Sequence, residues 1–445
     1  MPVPDAMQLK AEIYALELIR HVGRVSGVKD GIIEVSGLSG HARIGDRLEI
    51  HRTFGPPLDG EVLQVEQDSL RLLPDTAPEG VSLGIRATLH PTRDFSPGRH
   101  WLGRVVDPFG QALDGRPLLR GGAAVDLMRP PPAAVQRKPL GARMATGLSV
   151  LNTVLPLVRG QRLGLFAGSG VGKSSLLATL AQQVDADAVV VALIGERGRE
   201  VNEFVDKTLG PDGMERAVVV AATSHQSALV RRRCAWAAMS VAETLRDEGL
   251  NVLFLADSVT RFAEAHREIS VAMGEAPALR GYPPSVTPLI TGLCERAGPG
   301  LAEQGDITAV FSVLVAGSDM DEPVADILRG VLDGHIVLSR DIAERGRFPA
   351  IDVGRSVSRS LPEAANDDEN ALIGEARRLI GTYEQSEVMI KAGLYSEGTD
   401  PVLDQAVRVW PDLDAFIARR ENGSVQDSFD KLGLILRRAA TPAGH

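Results

Sequence analysis

Six stretches in the middle of the chain are almost continuously apolar: RLGLFAG (162–168), DAVVVALIGERG (187–198), RAVVVAAT (216–223), NVLFLADS (251–258), DITAVFSVLV (306–315) and GHIVLS (334–339). A strand with one wet face alternates apolar and polar residues. Unbroken runs of Val, Leu, Ile and Phe belong to strands covered by helices on both faces. Helical patterns separate these runs, so the region from Thr146 to about Arg359 predicts an α/β layer with a parallel sheet. Upstream, from Gly23 to about Thr92, short β-rich runs such as GDRLEIHR and GEVLQVEQDSLRLLP alternate with Gly, Asp and Pro turns. Regular spacing of short strands predicts a small β-barrel. The segments 102–117 and 127–141 are rich in Pro and Gly and read as an extended connection. Leu9, Ile13, Leu16 and Ile19 form one helical stripe, suited to docking on the barrel or on a partner. After about Leu361 the pattern turns helical and charged, as in EARRLIGTYEQSEVMIKAGLY. The expected division is a leading helix over 1–22, a barrel over 23–92, an α/β core with its linker over 93–365 and a helical domain over 366–445.

Composition narrows the class. A chain of 445 residues with 44% hydrophobic content can build two or three domains with sizeable cores. No apolar run approaches the ~20 residues of a membrane span, and the N-terminal stretch carries acids rather than a signal-peptide core. A cytoplasmic location is expected. Cys234 and Cys294 lack metal spacing and cannot form a disulfide framework, so they read as small buried hydrophobes. His90, His225, His266 and His335 show no ligand spacing either. A net charge of −10 and only 4% aromatic residues argue against nucleic acid as the main partner.

The chemistry starts at LFAGSGVGKSSLL (165–177), where a strand-like run meets a helix-like run through glycines. Gly168, Gly170 and Gly172 can take backbone angles that side chains forbid. With Ser169, Val171 and Ser175 they form a loop whose N–H groups face an anion at a helix N-terminus. Lys173 can then reach β- and γ-phosphate oxygens and Ser174 can ligate magnesium. Ala167 occupies the place where this motif usually opens on glycine. Asp257 ends the apolar run NVLFLAD, a position from which a carboxylate can hold a magnesium water shell. Glu196 ends another run, where a carboxylate can orient a water in line with a γ-phosphate. Arg197 and Arg199 beside it can either hold Glu196 or contact phosphate.

Together AGSGVGKSSLL, GERGREVNEF (195–204), NVLFLADSVTRFAEAHREI (251–269), RGYPPSV (280–286) and the stretch 321–359, which contains PAIDVGRSVS, resemble the ATPases of flagellar export and type III secretion. These in turn are similar to the catalytic subunits of rotary ATP synthases. The resemblance covers most of the chain. It implies a RecA-like phosphate-loop core between an N-terminal barrel and a C-terminal helical domain. It also implies ATP as substrate and Mg2+ as cofactor, with Lys173 and Ser174 on the phosphates and metal, Asp257 in the magnesium shell and Glu196 polarising the attacking water. Arg197 and Arg261 match arginines near the phosphates. Arg359 matches an arginine finger lent to the neighbouring subunit, and Phe348 matches an aromatic stacked on adenine. An ordinary core role for Phe348 and a salt-bridge role for Arg359 stay open on the residues alone.

A chain carrying phosphate loop, base and finger can close a ring from identical copies, so the resemblance implies a homohexamer. It further implies a stator-like regulatory protein at the N-terminus, a central stalk protein, an export-gate membrane protein and chaperone–cargo complexes as partners, at the cytoplasmic face of the inner membrane. The flagellar branch is favoured over the injectisome by wording such as RRRCAWAAMSVAETLR. A synthase catalytic subunit, an RNA translocase of the transcription-termination type and a non-hydrolysing nucleotide binder are the other readings.

Overall fold

Asp30 and Gly31 both have positive φ (52° and 80°) and turn β1 (Val22–Lys29) tightly into β2 (Ile32–Ser36). An Asp-Gly pair favours this two-residue hairpin, because both central positions need left-handed backbone. The computed structural model describes residues 19–90, 95–119, 121–315 and 320–440. The expected leading helix falls mainly on residues outside that range, and β1 already begins at Val22. With β3 (Arg47–Ile50), β4 (Leu58–Val65), β5 (Ser69–Pro74) and β6 (Arg86–Leu89) the hairpin closes a barrel in the order β1-β2-β5-β4-β3-β6. Alternation sets which side chains point inward. Ile33 faces Leu72 and Val35 faces Leu70 across the β2–β5 ladder, and all four are fully buried. This barrel forms one compact unit with Gln226–Val230 and Glu264–Ala278.

The second unit is built on the apolar runs. The strands are β7 (Arg104–Val106), β8 (Arg162–Ala167), β9 (Ala188–Glu196), β10 (Ala217–Thr223), β11 (Val252–Asp257), the two-residue β12 (Gly298–Pro299), β13 (Asp306–Leu314), β14 (Gly334–Leu338) and β15 (Ile351–Ser358). They form one sheet in the order β15-β14-β8-β13-β11-β9-β10-β7, with β12 paired to β13. From β14 to β7 the neighbours along this order run parallel, whereas β15 is antiparallel to β14. Helices of the chain include α1 (Lys173–Gln183), α2 (Gly198–Glu203), α3 (Ala228–Asp247), α4 (Val259–Ala272), α5 (Val286–Arg296), α6 (Pro323–Val331), α7 (Arg340–Glu344), α8 (Asp367–Lys391), α9 (Pro401–Ala418) and α10 (Val425–Ala440).

One element differs from the expectation. Residues 102–117 read as a plain connection, yet Arg104–Val106 pairs in parallel with Val218–Val220 and completes the sheet edge. A bidentate ion pair from Arg104 to Asp114 (2.7 and 2.8 Å) fixes the short strand. Three residues flanked by Gly and Pro carry too little periodicity to announce a strand.

At the C-terminal end, α8 opens on a capping box. The Asn366 side chain accepts from the Glu369 N–H (2.9 Å), and the Glu369 carboxylate accepts from the Asn366 N–H (3.1 Å). Leu379, Ile380, Val409, Leu413, Phe416, Leu432 and Leu436 of α8–α10 share one continuous apolar core with Leu163, Leu165 and Ile351 of the sheet. Among the described residues no helix is long and apolar enough to cross a membrane.

Candidate active site

Parallel strands deliver their C-terminal ends to one edge of the sheet, and there the polar residues gather. The loop after β8 turns on Gly170 (φ 77°) and Gly172 (φ 91°), left-handed positions that suit glycine. Val171 between them is buried and pins the loop to the core. Gly168, Ser169 and Gly170 stand toward solvent, and Ser174 and Ser175 are exposed at the first turn of α1. Leu176, Leu177 and Leu180 bury the opposite face of that helix. The N–H groups of a helix's first turn lack intrahelical partners, and a helix start of this kind is suited to an anion.

Lys173 bends toward Asp257, and its Nζ bonds Oδ1. Asp257 is only 5% exposed and also accepts from the Ser312 hydroxyl on β13 (2.9 Å). Ser312 was not singled out in the sequence, because it sits inside an almost continuously apolar stretch. On the neighbouring strand Asp257 pairs with Leu193, so Glu196 stands beyond it at the end of β9. Burial and then the Asp257 charge push the Glu196 carboxyl up to about 7, partly offset by Lys173. A hydrogen bond with Glu200 raises it further. A cavity of about 540 Å³ opens onto Ser174, Ser175, Glu196, Glu200, Asp257 and Arg420. Arg420, from the segment after α9, and Glu200, which lies within GERGREVNEF but has no role assigned by the motif, are further wall residues.

The arginines divide. The stem of Arg261, in the first turn of α4, packs on Gly195, where an added Cβ would lie 3.5 Å from Arg261 Cβ. Arg231 of α3 packs on the same glycine, 3.3 Å by the same measure. Arg197 is 69% exposed and pairs with Glu200 (3.5 Å) rather than with Glu196. Phe348 is half exposed, and an added Cβ on Gly172 would sit 3.2 Å from its ring, so it flanks the phosphate loop outside the cavity.

Arg359 lies elsewhere. Leu338 pairs with both Ala167 and Ile351, whereas Gly334 pairs with Ser358. β15 thus runs the depth of the sheet and carries Arg359 to the opposite edge, roughly 20 Å from its own phosphate loop at ~3.3 Å per residue. There Arg359 is exposed and donates to the Arg329 carbonyl (3.2 Å).

The donors at the cavity fit a hard divalent cation. The Ser174 hydroxyl and the Asp257 carboxylate share its wall with Glu196, an all-oxygen set of the kind Mg2+ takes. A helix N-terminus for phosphates, a lysine beside a buried aspartate and a carboxylate raised toward neutrality can bind a triphosphate and accept a proton from water. Such a fold and site define a phosphate-loop nucleotide hydrolase. Residues 147–358 match the family described as ATP synthase alpha/beta family, nucleotide-binding domain, and residues 365–433 match the T3SS EscN ATPase C-terminal domain.

A flagellum-specific ATP synthase of Caulobacter vibrioides is 45% identical over 438 residues, covering 96% of this chain and 99% of that protein. Its counterpart in Salmonella typhimurium is 40% identical over 442 residues, covering 96% of each. The assembled ATPase EscN from the enteropathogenic E. coli type III secretion system superposes with a TM-score of 0.85 at 35% identity, over 93% of this chain and 100% of that one. EscN in complex with its central stalk EscO gives 0.84 at the same identity and coverage. The chain belongs to the family of flagellum-specific ATP synthases and type III secretion ATPases. It is an ATP-hydrolysing enzyme of the flagellar export class.

Proposed function

We propose that this chain hydrolyses Mg2+-ATP at the edge formed by β8, β9 and β11, with Glu196 as the proton acceptor. The observation that carries this reading is the half-buried Glu196 carboxyl, raised toward neutrality beside the Lys173–Asp257 pair on the wall of one cavity. The N–H groups of Gly168, Ser169, Gly170, Val171, Gly172 and Lys173 face the β- and γ-phosphates, with Ser175 at the helix start. Lys173 neutralises charge on the transferring phosphoryl group. Ser174 and Asp257 hold Mg2+, directly or through its water shell, and the cation supplies Lewis-acid stabilisation of phosphate charge. Glu196 orients the attacking water and takes its proton. Arg261 and Arg197 support the phosphate side, and Phe348 covers the adenine face.

Arg359 serves the site of the next copy, which implies a ring of identical subunits, six by the family pattern. A central stalk partner fits the EscO complex formed by the relative EscN. The remaining partners we propose are a stator-like regulator, a membrane-embedded export gate and chaperone-bound cargo, with hydrolysis promoting unfolding and chaperone release of flagellar substrates. The enzyme then works at the cytoplasmic face of the membrane.

The deciding experiment is Glu196→Gln. Nucleotide binding, followed with a fluorescent ATP analogue, stays near wild type, while turnover falls by about 10²-fold or more. A steady-state rate close to wild type removes Glu196 from its role.

A further inference from the structure

Two arginines, two residues apart, join the segment bearing Phe348 to the C-terminal helices. The segment follows α7 and leads into β15. On one side the phosphate loop is touched once by α7 and once by the segment itself. Arg340 donates to the Ser169 carbonyl (3.5 Å), and the Phe348 ring lies against Gly172. On the other side it reaches the helices twice. Arg345 pairs with Glu387 of α8 (2.5 Å), and Arg347 pairs with Asp414 of α9 (3.2 Å).

Arg347 is the informative member. Its side chain is only 8% exposed, and burial lowers its pKa. Nη2 donates to the Ile351 carbonyl (2.7 Å), but neither Nε nor Nη1 has a hydrogen-bond partner among the described residues, so the contact with Asp414 is one of charge alone. A buried, half-satisfied guanidinium is a poor stabiliser compared with an apolar side chain of similar volume. Its presence one residue before Phe348 calls for another reason.

The surroundings repeat the charge pattern. Glu384 of α8 lies against the β15 backbone, where a Cβ added at Gly354 would fall 2.7 Å from its Oε2. Burial, followed by the Asp352 charge, pushes Glu384 up to about 7. Asp352, Glu384 and Glu387 line a cavity of about 690 Å³ with Arg345. The contact between sheet and helices at this point is thus polar and adjustable, unlike the apolar core elsewhere in the unit.

We propose that Arg345 and Arg347 are positioning residues for the base-binding Phe348, held by Glu387 and Asp414, so that displacement of α8 and α9 changes grip on the nucleotide base and not on its phosphates. This inference rests on the reading of Phe348 as the adenine-stacking residue. A loop released from these arms has to be ordered anew at each binding event, which weakens the base contact.

Steady-state kinetics test this with ATP as substrate and inorganic tripolyphosphate, which has no base, as competing ligand. Arg347→Met and Asp414→Asn each raise KM for ATP about five- to tenfold, keep kcat within about twofold and leave the tripolyphosphate inhibition constant unchanged. The double variant is no worse than either single one, because both remove the same arm. Phe348→Ala is the control and raises KM for ATP in the same way. If Phe348→Ala raises KM but the arm variants do not, the positioning claim fails and the base reading survives. If Phe348→Ala changes nothing, the base reading fails and takes the proposal with it. If the arm variants weaken ATP and tripolyphosphate equally, the arginines only support the fold and the proposal is overturned. Asp414 is partly exposed, so Asp414→Asn keeps the test available if Arg347→Met does not fold.

Discussion

Glu196 works against its own charge. Burial disfavours the carboxylate, Asp257 repels it and Glu200 bonds its protonated form, whereas only Lys173 pulls the other way. A carboxyl raised above its ordinary 4.5 contributes stability that is full below that value and lost as pH rises through about 7. Catalysis has the opposite sign, because proton acceptance needs the carboxylate. We therefore expect kcat/KM for ATP to climb between about pH 6 and about pH 8, with a midpoint near that of Glu196. Glu200→Gln removes a raising charge and moves the midpoint down; a profile flat over this range speaks against Glu196 as acceptor. Ser312 makes a second case. Its hydroxyl is fully buried and donates to Asp257, so Ser312→Ala leaves a buried carboxylate short of one donor. The expected loss is about 1–2 kcal/mol in a denaturant melt, with nucleotide affinity weakened as Asp257 shifts. The strand-end positions of Glu196 and Asp257 were legible because each ends an apolar run. Ser312 was not, since in a strand buried on both faces nothing in the pattern says where one hydroxyl points.

Among the elements, β7 shows what pattern reading misses. Buried parallel strands announce themselves by nearly continuous apolar stretches, and β8, β9, β10, β11 and β13 did so. β7 has three residues, and its place is set by a salt bridge rather than by periodicity. Arg104 bonds Asp114 through two nitrogens and holds its carboxyl well below the usual carboxylate range. A depressed pKa contributes stability that is present above the ordinary value of 3.8 and lost as pH falls through the folded one. Asp114→Asn should thus cost about 1.5–3 kcal/mol at neutral pH, and the gap from wild type should narrow as the solution is acidified below about pH 4. Thermal melts of both proteins across that range check it; a gap that stays constant in acid argues against the ion pair as the source. The phosphate loop sits at the other extreme. Gly170 and Gly172 take the positive φ that their sequence spacing implies, whereas Gly168 does not, and the approach of the Phe348 ring to Gly172 lay beyond the sequence. That contact joins residues far apart in the chain, and local pattern carries no information on it.

For the molecule as a whole, the position of Arg359 is decisive. β15 carries it to the sheet edge opposite the phosphate loop, so one chain cannot bring its own Arg359 to its own triphosphate. The motif PAIDVGRSVSR suggested a finger, but only sheet register shows that it must act on another copy if it acts on phosphate at all. Head-to-tail contact of identical subunits closes a ring when the rotation permits, and each copy then both gives and receives an arginine. Lys173→Ala spoils a chain's own site and leaves its finger intact; Arg359→Ala does the reverse. Each variant alone should lose activity by about 10³-fold or more, as finger removal does in phosphoryl-transfer enzymes. Mixed in equal amounts and reassembled, a site is intact where an Arg359→Ala subunit receives its finger from a Lys173→Ala neighbour. Random assembly makes about a quarter of the interfaces of that kind, so the mixture should regain roughly a quarter of wild-type turnover. A mixture as inactive as its components, or an Arg359→Ala protein with normal turnover by itself, would show that Arg359 completes no neighbouring site.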